Sequence, residues 1–158
     1  GEFREALARI RAEETQRTAR LIGGLASQMN ELQQTVEQDA YRFALAVAER
    51  IIRREVTLTD DIVISQIKEA IQRVAGVESI KLRVHPSDEA VVRAHRGVFL
   101  ASLDNLRDLV IETDEGVERG GCVIESTSGN VDARISTQLR QIESSLFGMP
   151  RNGTELLP

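Results

Sequence analysis

The sequence predicts an α+β protein: a long N-terminal coiled-coil helix followed by a small α/β head with a mostly antiparallel sheet. Three observations carry this. From Phe3 to about Arg54 there is no proline, and Ala, Leu, Glu, Gln and Arg, all good helix formers, dominate. Apolar residues in that stretch recur at intervals of three and four. Beyond Gly76 the pattern changes, and Ile80, Leu82 and Val84 alternate with Lys81, Arg83 and His85, the period of a strand with one solvated face. The expected organisation is a helix over 1–54, a head over 55–148 and a disordered tail over 149–158.

The helix comes first in the chain and sets the strongest constraint. About 50 residues at 1.5 Å each give roughly 75 Å, more than the remaining hundred residues can cover, so its apolar stripe needs a partner. That stripe reads Leu21, Leu25, Met29, Leu32, Val36, Ala40, Phe43, Val47 and Ile51, spaced 4-4-3-4-4-3-4-4. The repeat is eleven residues long. A heptad drawn through the same region places Asp39 and Arg50 in the seam. Eleven residues in three turns predict a straight or right-handed pair of helices. Before Leu21 the same rows are expected to carry Glu14, Arg17 and Thr18, which predicts pairing there that is weak or made with a different partner. After Ala40 the helix is apolar nearly all round, which predicts burial. Gly23-Gly24 is a weak point, costing about 1 kcal/mol per Gly relative to Ala.

In the head, Thr59-Asp60-Asp61 predicts a helix start with acids in the first turn. Val63, Ile67, Ala70, Ile71 and Val74 follow at helical spacing, and Gly76 closes the helix. The strand of residues 80–84 stops at Pro86, and Ser87 is placed to cap a short helix that begins with Asp88 and Glu89. Leu109 to Ile111 and Cys122 to Ile124 read as further strands. Ser128-Gly129-Asn130 is turn chemistry, so residues 121–135 form a hairpin, with Val131, Ala133 and Ile135 alternating in its return arm. Ser136 then caps a last helix with Leu139, Ile142 and Leu146 facing inward, ended by Gly148 and Pro150. This order is that of an α+β head.

Composition restricts the function. Aromatics are 3% with no Trp, too few for a large compact core but natural for a helix seam of Leu, Ile, Val and Ala. A net charge of −5, with Lys and Arg dispersed, disfavours nucleic acid and anionic membrane as partners. One cysteine, Cys122, excludes an internal disulfide and fits a reducing compartment. The longest apolar run, Phe43 to Ala48, is far short of a membrane span. No secretory signal opens the chain, and Gly1-Glu2-Phe3 is compatible with a cloning remnant that replaces an upstream segment.

No residue pattern points to catalysis, a cofactor or a metal. His85 and His95 lack a metal-ligand spacing, and His85 reads as a solvated strand residue. Cys122 reads as a buried inert thiol. Gly120-Gly121 precedes a strand and no Gly-Lys-Ser/Thr follows, so it reads as a tight turn or bulge. The acids Asp114, Glu115 and Glu118 read as a solvated loop.

Four stretches carry a resemblance. These are Ala44-Leu-Ala-Val-Ala-Glu-Arg-Ile-Ile52, Ile80-Lys-Leu-Arg-Val-His-Pro86, Glu118-Arg-Gly-Gly-Cys-Val-Ile-Glu125 and Val131-Asp-Ala-Arg-Ile-Ser-Thr-Gln-Leu139. Over roughly residues 40–147 the chain resembles the C-terminal half of the flagellar assembly protein FliH family and the related type III secretion stators. The Gly-Gly strand, turn, strand and Thr-led helix is more distantly similar to the peripheral-stalk E subunit of vacuolar/archaeal rotary ATPases. The resemblance implies a cytoplasmic homodimer at the secretion apparatus, whose heads bind the N-terminal region of the export ATPase and restrain it. It also implies contact with secretion-ring components through an extreme N-terminal segment that this sequence lacks. The repeated Gly-x-x-x-Gly of that family's stalk is reduced here to Gly23-Gly24. The alternatives are a rotary-ATPase stalk subunit, which pairs with a different chain, and a ligand-binding regulatory head on a dimerisation helix.

Overall fold

The computed structural model describes residues 1–74 and 76–147. The expected stop at Gly148 and Pro150 and the tail over 149–158 lie outside these residues. The chain divides into two compact units, Gly1–Phe43 and the part from Ala44 onward.

The first unit is helix throughout its length and belongs to helix α1, Glu2–Leu58, which runs four residues past the expected end at Arg54. Nothing before Thr59 forces a stop: there is no proline, and Gly23-Gly24 do not interrupt the helix. Every residue of this unit except Glu37 is exposed.

The second unit is the head, an α+β fold. After α1 come helix α2 (Asp61–Gln72), strand β1 (Ser79–Val84), a 3-10 turn (Pro86–Asp88), and short helices α3 (Glu89–Ala94) and α4 (Arg96–Ala101). Strands β2 (Asp108–Thr113), β3 (Cys122–Ser126) and β4 (Gly129–Asp132) and helix α5 (Ile135–Phe147) complete it. The sheet order is β2-β1-β3-β4. β1 pairs with β2 in parallel and with β3 antiparallel, and β3 pairs with β4 antiparallel. A parallel pair requires a crossover, and the segment with α3 and α4 supplies it.

Strand alternation decides which face is covered. Ile80, Leu82 and Val84 stand on one face, in register with Leu109 and Ile111 of β2 and Cys122 and Ile124 of β3. Against them pack Val63, Ile67, Ala70 and Ile71 of α2, Val92 of α3 and Phe99 of α4. Each fully buried aliphatic or aromatic side chain there contributes roughly 1.5–3 kcal/mol. The opposite face is polar. Lys81 pairs with Glu112 at 3.5 Å, and Arg83 pairs with Glu125 and, at 3.3 Å, with Asp114.

The helix start expected at Thr59-Asp60-Asp61 is where α2 begins, with Asp61 in its first turn; Thr59 Oγ1 accepts from the Asp61 amide at 3.3 Å, and Asp60 makes no side-chain capping bond. Other expectations are corrected. His85 is not a free strand residue: its Nδ1 accepts from the Ser87 amide at 3.0 Å and caps the 3-10 turn in place of Ser87. Asp88, expected in the first turn of a short helix, ends the 3-10 turn before α3 and is buried, 2% exposed. Ile135 opens α5 and is not strand, because β4 ends at Asp132. Of the all-apolar end of α1, only Val56 is fully buried, while Leu45, Ala48 and Ile52 are half-buried. On α5, Leu139 is half-buried and Ile142 and Leu146 are exposed, so the described residues do not cover that stripe.

Candidate interaction surfaces

The first candidate surface is the row of apolar residues on α1. Residues three and four apart share a helix face, so the 4-4-3 spacing puts Leu21, Leu25, Met29, Leu32, Val36, Ala40 and Phe43 on one side of the first unit. The large members are 59–73% exposed among the described residues. Val47 and Ile51 continue the spacing within the head unit and are 42% and 56% exposed. Toward the N-terminus, Phe3, Leu7 and Ile10 are also exposed; the sequence reading did not include them.

The head carries a second apolar surface. Ile52 of α1, Ile62 of α2 and Ile135, Leu139 and Ile142 of α5 line a groove of about 330 Å³. Its polar wall is built by Gln138, whose Nε2 donates to Gln66 Oε1 at 2.9 Å and to the Ala133 carbonyl at 3.0 Å.

Behind that groove, three carboxylates hold the loop before β3, the end of α1 and the start of α5 together. Asp88 Oδ2 accepts from the Gly120 amide at 2.8 Å, and Arg119 stands 3.4 Å from Oδ1. Glu118 Oε1 accepts from the Ser136 amide at 2.7 Å and its Oε2 lies 3.5 Å from Arg53 of α1. Asp132 accepts from the Arg134 amide at 3.1 Å and from Thr137 Oγ1 at 2.9 Å. Glu118 therefore satisfies an early amide of α5, and Asp132 holds the Arg134 amide just before the helix and the Thr137 hydroxyl in its first turn; Ser136 lies inside the helix and does not cap it. Glu118 and Asp114 are ion-paired constraints of the fold, which corrects their reading as a solvated loop.

Two predictions follow from these carboxylates. Asp88→Ala leaves a buried Gly120 amide without its acceptor, a cost of about 1–3 kcal/mol, to be measured as a lowered urea midpoint. The Asp132 carboxyl is held at about 2, below its ordinary 3.8, first by its hydrogen bonds from the Arg134 side chain. A depressed folded-state value means the contribution is present above about pH 4 and lost as the pH falls through about 2. Asp132→Asn is expected to flatten the urea midpoint against pH in that window; the effect is modest because the pair is partly solvated.

Cys122 is fully buried, and burial pushes its thiol up to about 12, so it is no nucleophile near neutral pH. Gly120-Gly121 form a tight turn, with Gly121 N donating to the Glu118 carbonyl at 3.1 Å and Gly120 at φ +81°. Among the described residues no three His, Cys, Asp or Glu side chains group closely enough to hold a metal ion. No described helix is long and apolar enough to cross a membrane.

A long helix with exposed apolar rows, followed by a small α+β head, defines the class by its architecture. The family described as flagellar assembly protein FliH matches residues 12–142, and the chain belongs to that family. Flagellar assembly protein FliH of Borreliella burgdorferi is 30% identical over 123 residues, covering 78% of this chain and 40% of that protein. The type 3 secretion system stator protein of Yersinia enterocolitica is 22% identical over 128 residues, covering 81% of this chain and 56% of that protein. Its counterpart in Yersinia pestis is 23% identical over 130 residues, with 81% and 57% covered. The chain thus spans about half the length of the curated relatives it matches.

Proposed function

We propose that this chain is a non-enzymatic stator or adaptor. It pairs with a second copy through α1, and its head binds and restrains the export ATPase of a flagellar or related type III secretion system at the cytoplasmic side of the apparatus. The observation that carries the reading is the exposed apolar row of α1. Seven side chains in one unbroken 4-4-3 register, from Leu21 to Phe43, call for a second apolar helix face to cover them. Family membership and the stator names of the Yersinia relatives support the choice of partner.

A pull-down of the export ATPase by this chain, with ATP hydrolysis measured with and without it, tests the proposal. Retention of the ATPase and slower hydrolysis are expected. No retention and unchanged hydrolysis overturn the ATPase assignment. Light scattering of the chain alone separates this reading from a rotary-ATPase stalk subunit, which requires a different chain as its helical partner.

A further inference from the structure

We propose that the α1 seam continues in phase to Phe3, and that Glu14 and Thr18 form one polar layer inside it that locks two copies parallel and in register. The proposal rests on the homodimer reading above and adds the alignment of the two chains.

Stepping each seam row back by eleven residues gives the argument. Leu21 leads to Ile10; Leu25 leads to Glu14 and then Phe3; Met29 leads to Thr18 and then Leu7. The rows are therefore apolar again beyond a single layer, and Phe3, Leu7 and Ile10 are all exposed on the helix. Arg17 does not belong to these rows. With eleven residues in three turns, positions three before and three after a residue lie about 65° to either side of it. Arg11 and Arg17 therefore border the row of Glu14 on opposite sides. Among the described residues none of Arg11, Glu14 and Arg17 makes an ion pair within the chain.

A polar residue at a seam position specifies register at some cost in stability, because every other alignment buries it against apolar side chains. Parallel in-register pairing sets Glu14 and Thr18 against their own copies, with two arginines of each chain beside the carboxylates. Sliding one copy by eleven residues sets Glu14 against Leu25 or Phe3 and Thr18 against Met29 or Leu7. Within residues 2–58, an antiparallel pair brings the polar layer onto itself only when centred there, and then Leu32, Val36, Ala40 and Phe43 meet no seam residue of that segment. Within that segment the parallel in-register pair alone matches polar with polar and pairs every seam residue.

Disulfide trapping with diamide tests this, since the native Cys122 is buried. Chains carrying Ile10→Cys, Thr18→Cys or Leu32→Cys are each expected to cross-link to an identical chain. A mixture of Ile10→Cys and Leu21→Cys chains, one repeat out of step, is expected to give mixed links about tenfold less often or lower. In a Glu14→Leu, Thr18→Leu background the mixed links are expected to rise toward the like pairs while the dimer becomes more resistant to heat. Linking by Leu32→Cys without linking by Ile10→Cys overturns the extension of the seam and leaves the dimer reading standing. Mixed links that stay rare in the double-Leu background overturn the polar layer as the lock. A single-chain mass for the unmodified protein overturns the dimer reading and this proposal together.

Discussion

Phe43→Glu is expected to convert the protein from two copies to one without unfolding the head. Phe43 is 73% exposed in the single chain, so its side chain supports little of that chain's own packing. In a pair of helices it stands in the seam, and a carboxylate there is buried opposite an identical carboxylate. Breaking or introducing an unpaired buried charge costs about 3–5 kcal/mol, which corresponds to roughly 100-fold or more in the dissociation constant. Sedimentation velocity at micromolar concentration reads the change in mass. Labelling of Cys122 separates dissociation from unfolding: a thiol this buried reacts only when the head opens, and it is expected to stay protected in the variant. Val36→Glu, about two turns earlier on the same apolar stripe, is expected to behave alike. Unchanged mass in both variants contradicts the register.

The second large effect lies at Gly120. Its φ of +81° is a left-handed conformation that an L side chain adopts at a cost. A Cβ there also meets Val56 Cγ1 at 2.4 Å, Val56 Cβ at 2.9 Å and Ile135 Cδ1 at 3.3 Å. Backbone strain and overpacking each cost about 1–3 kcal/mol, so Gly120→Ala is expected to lower the thermal midpoint by about 10 °C or more. Val56 is the fully buried residue of α1, and Gly120 is the floor on which it rests. The same change at Gly97, in α4, is the control. Nothing lies within 4 Å of a Cβ built there, and Ala is the better helix former by about 0.8–1 kcal/mol, so Gly97→Ala is expected to be neutral or stabilising. A Gly120→Ala protein as stable as the parent contradicts the packing of α1 on the turn before β3.

These two cases show what was legible in the sequence. The α1 helix, the core face of β1 and the turn at Gly120 all follow from local pattern: helix formers without proline, alternation of Ile80, Leu82 and Val84, and paired glycines before a strand. Periodicity identifies such features because it depends on the chain's own geometry. What sequence did not disclose is the long-range chemistry. Asp88 looks like any acid in a first helical turn until the fold brings the Gly120 amide to it, 32 residues away. Glu118 looks like a loop acid until it bridges Arg53 and the Ser136 amide. Ile135 fits the alternation of a strand, but the Ser136 amide that follows it is taken by Glu118 and the chain turns into α5. Leu139, Ile142 and Leu146 have the right spacing for a buried stripe, yet among the described residues only Leu139 is even half-buried. The signal for Phe3, Leu7 and Ile10 was present in the eleven-residue spacing, but Glu14 and Thr18 interrupt it.

Multi-angle light scattering of the unmodified chain tests the central claim most directly. The account predicts a mass of two chains, each of 17.5 kDa, at micromolar concentration and without any added partner. A mass of one chain under those conditions contradicts it, because the α1 row then has no like surface to meet.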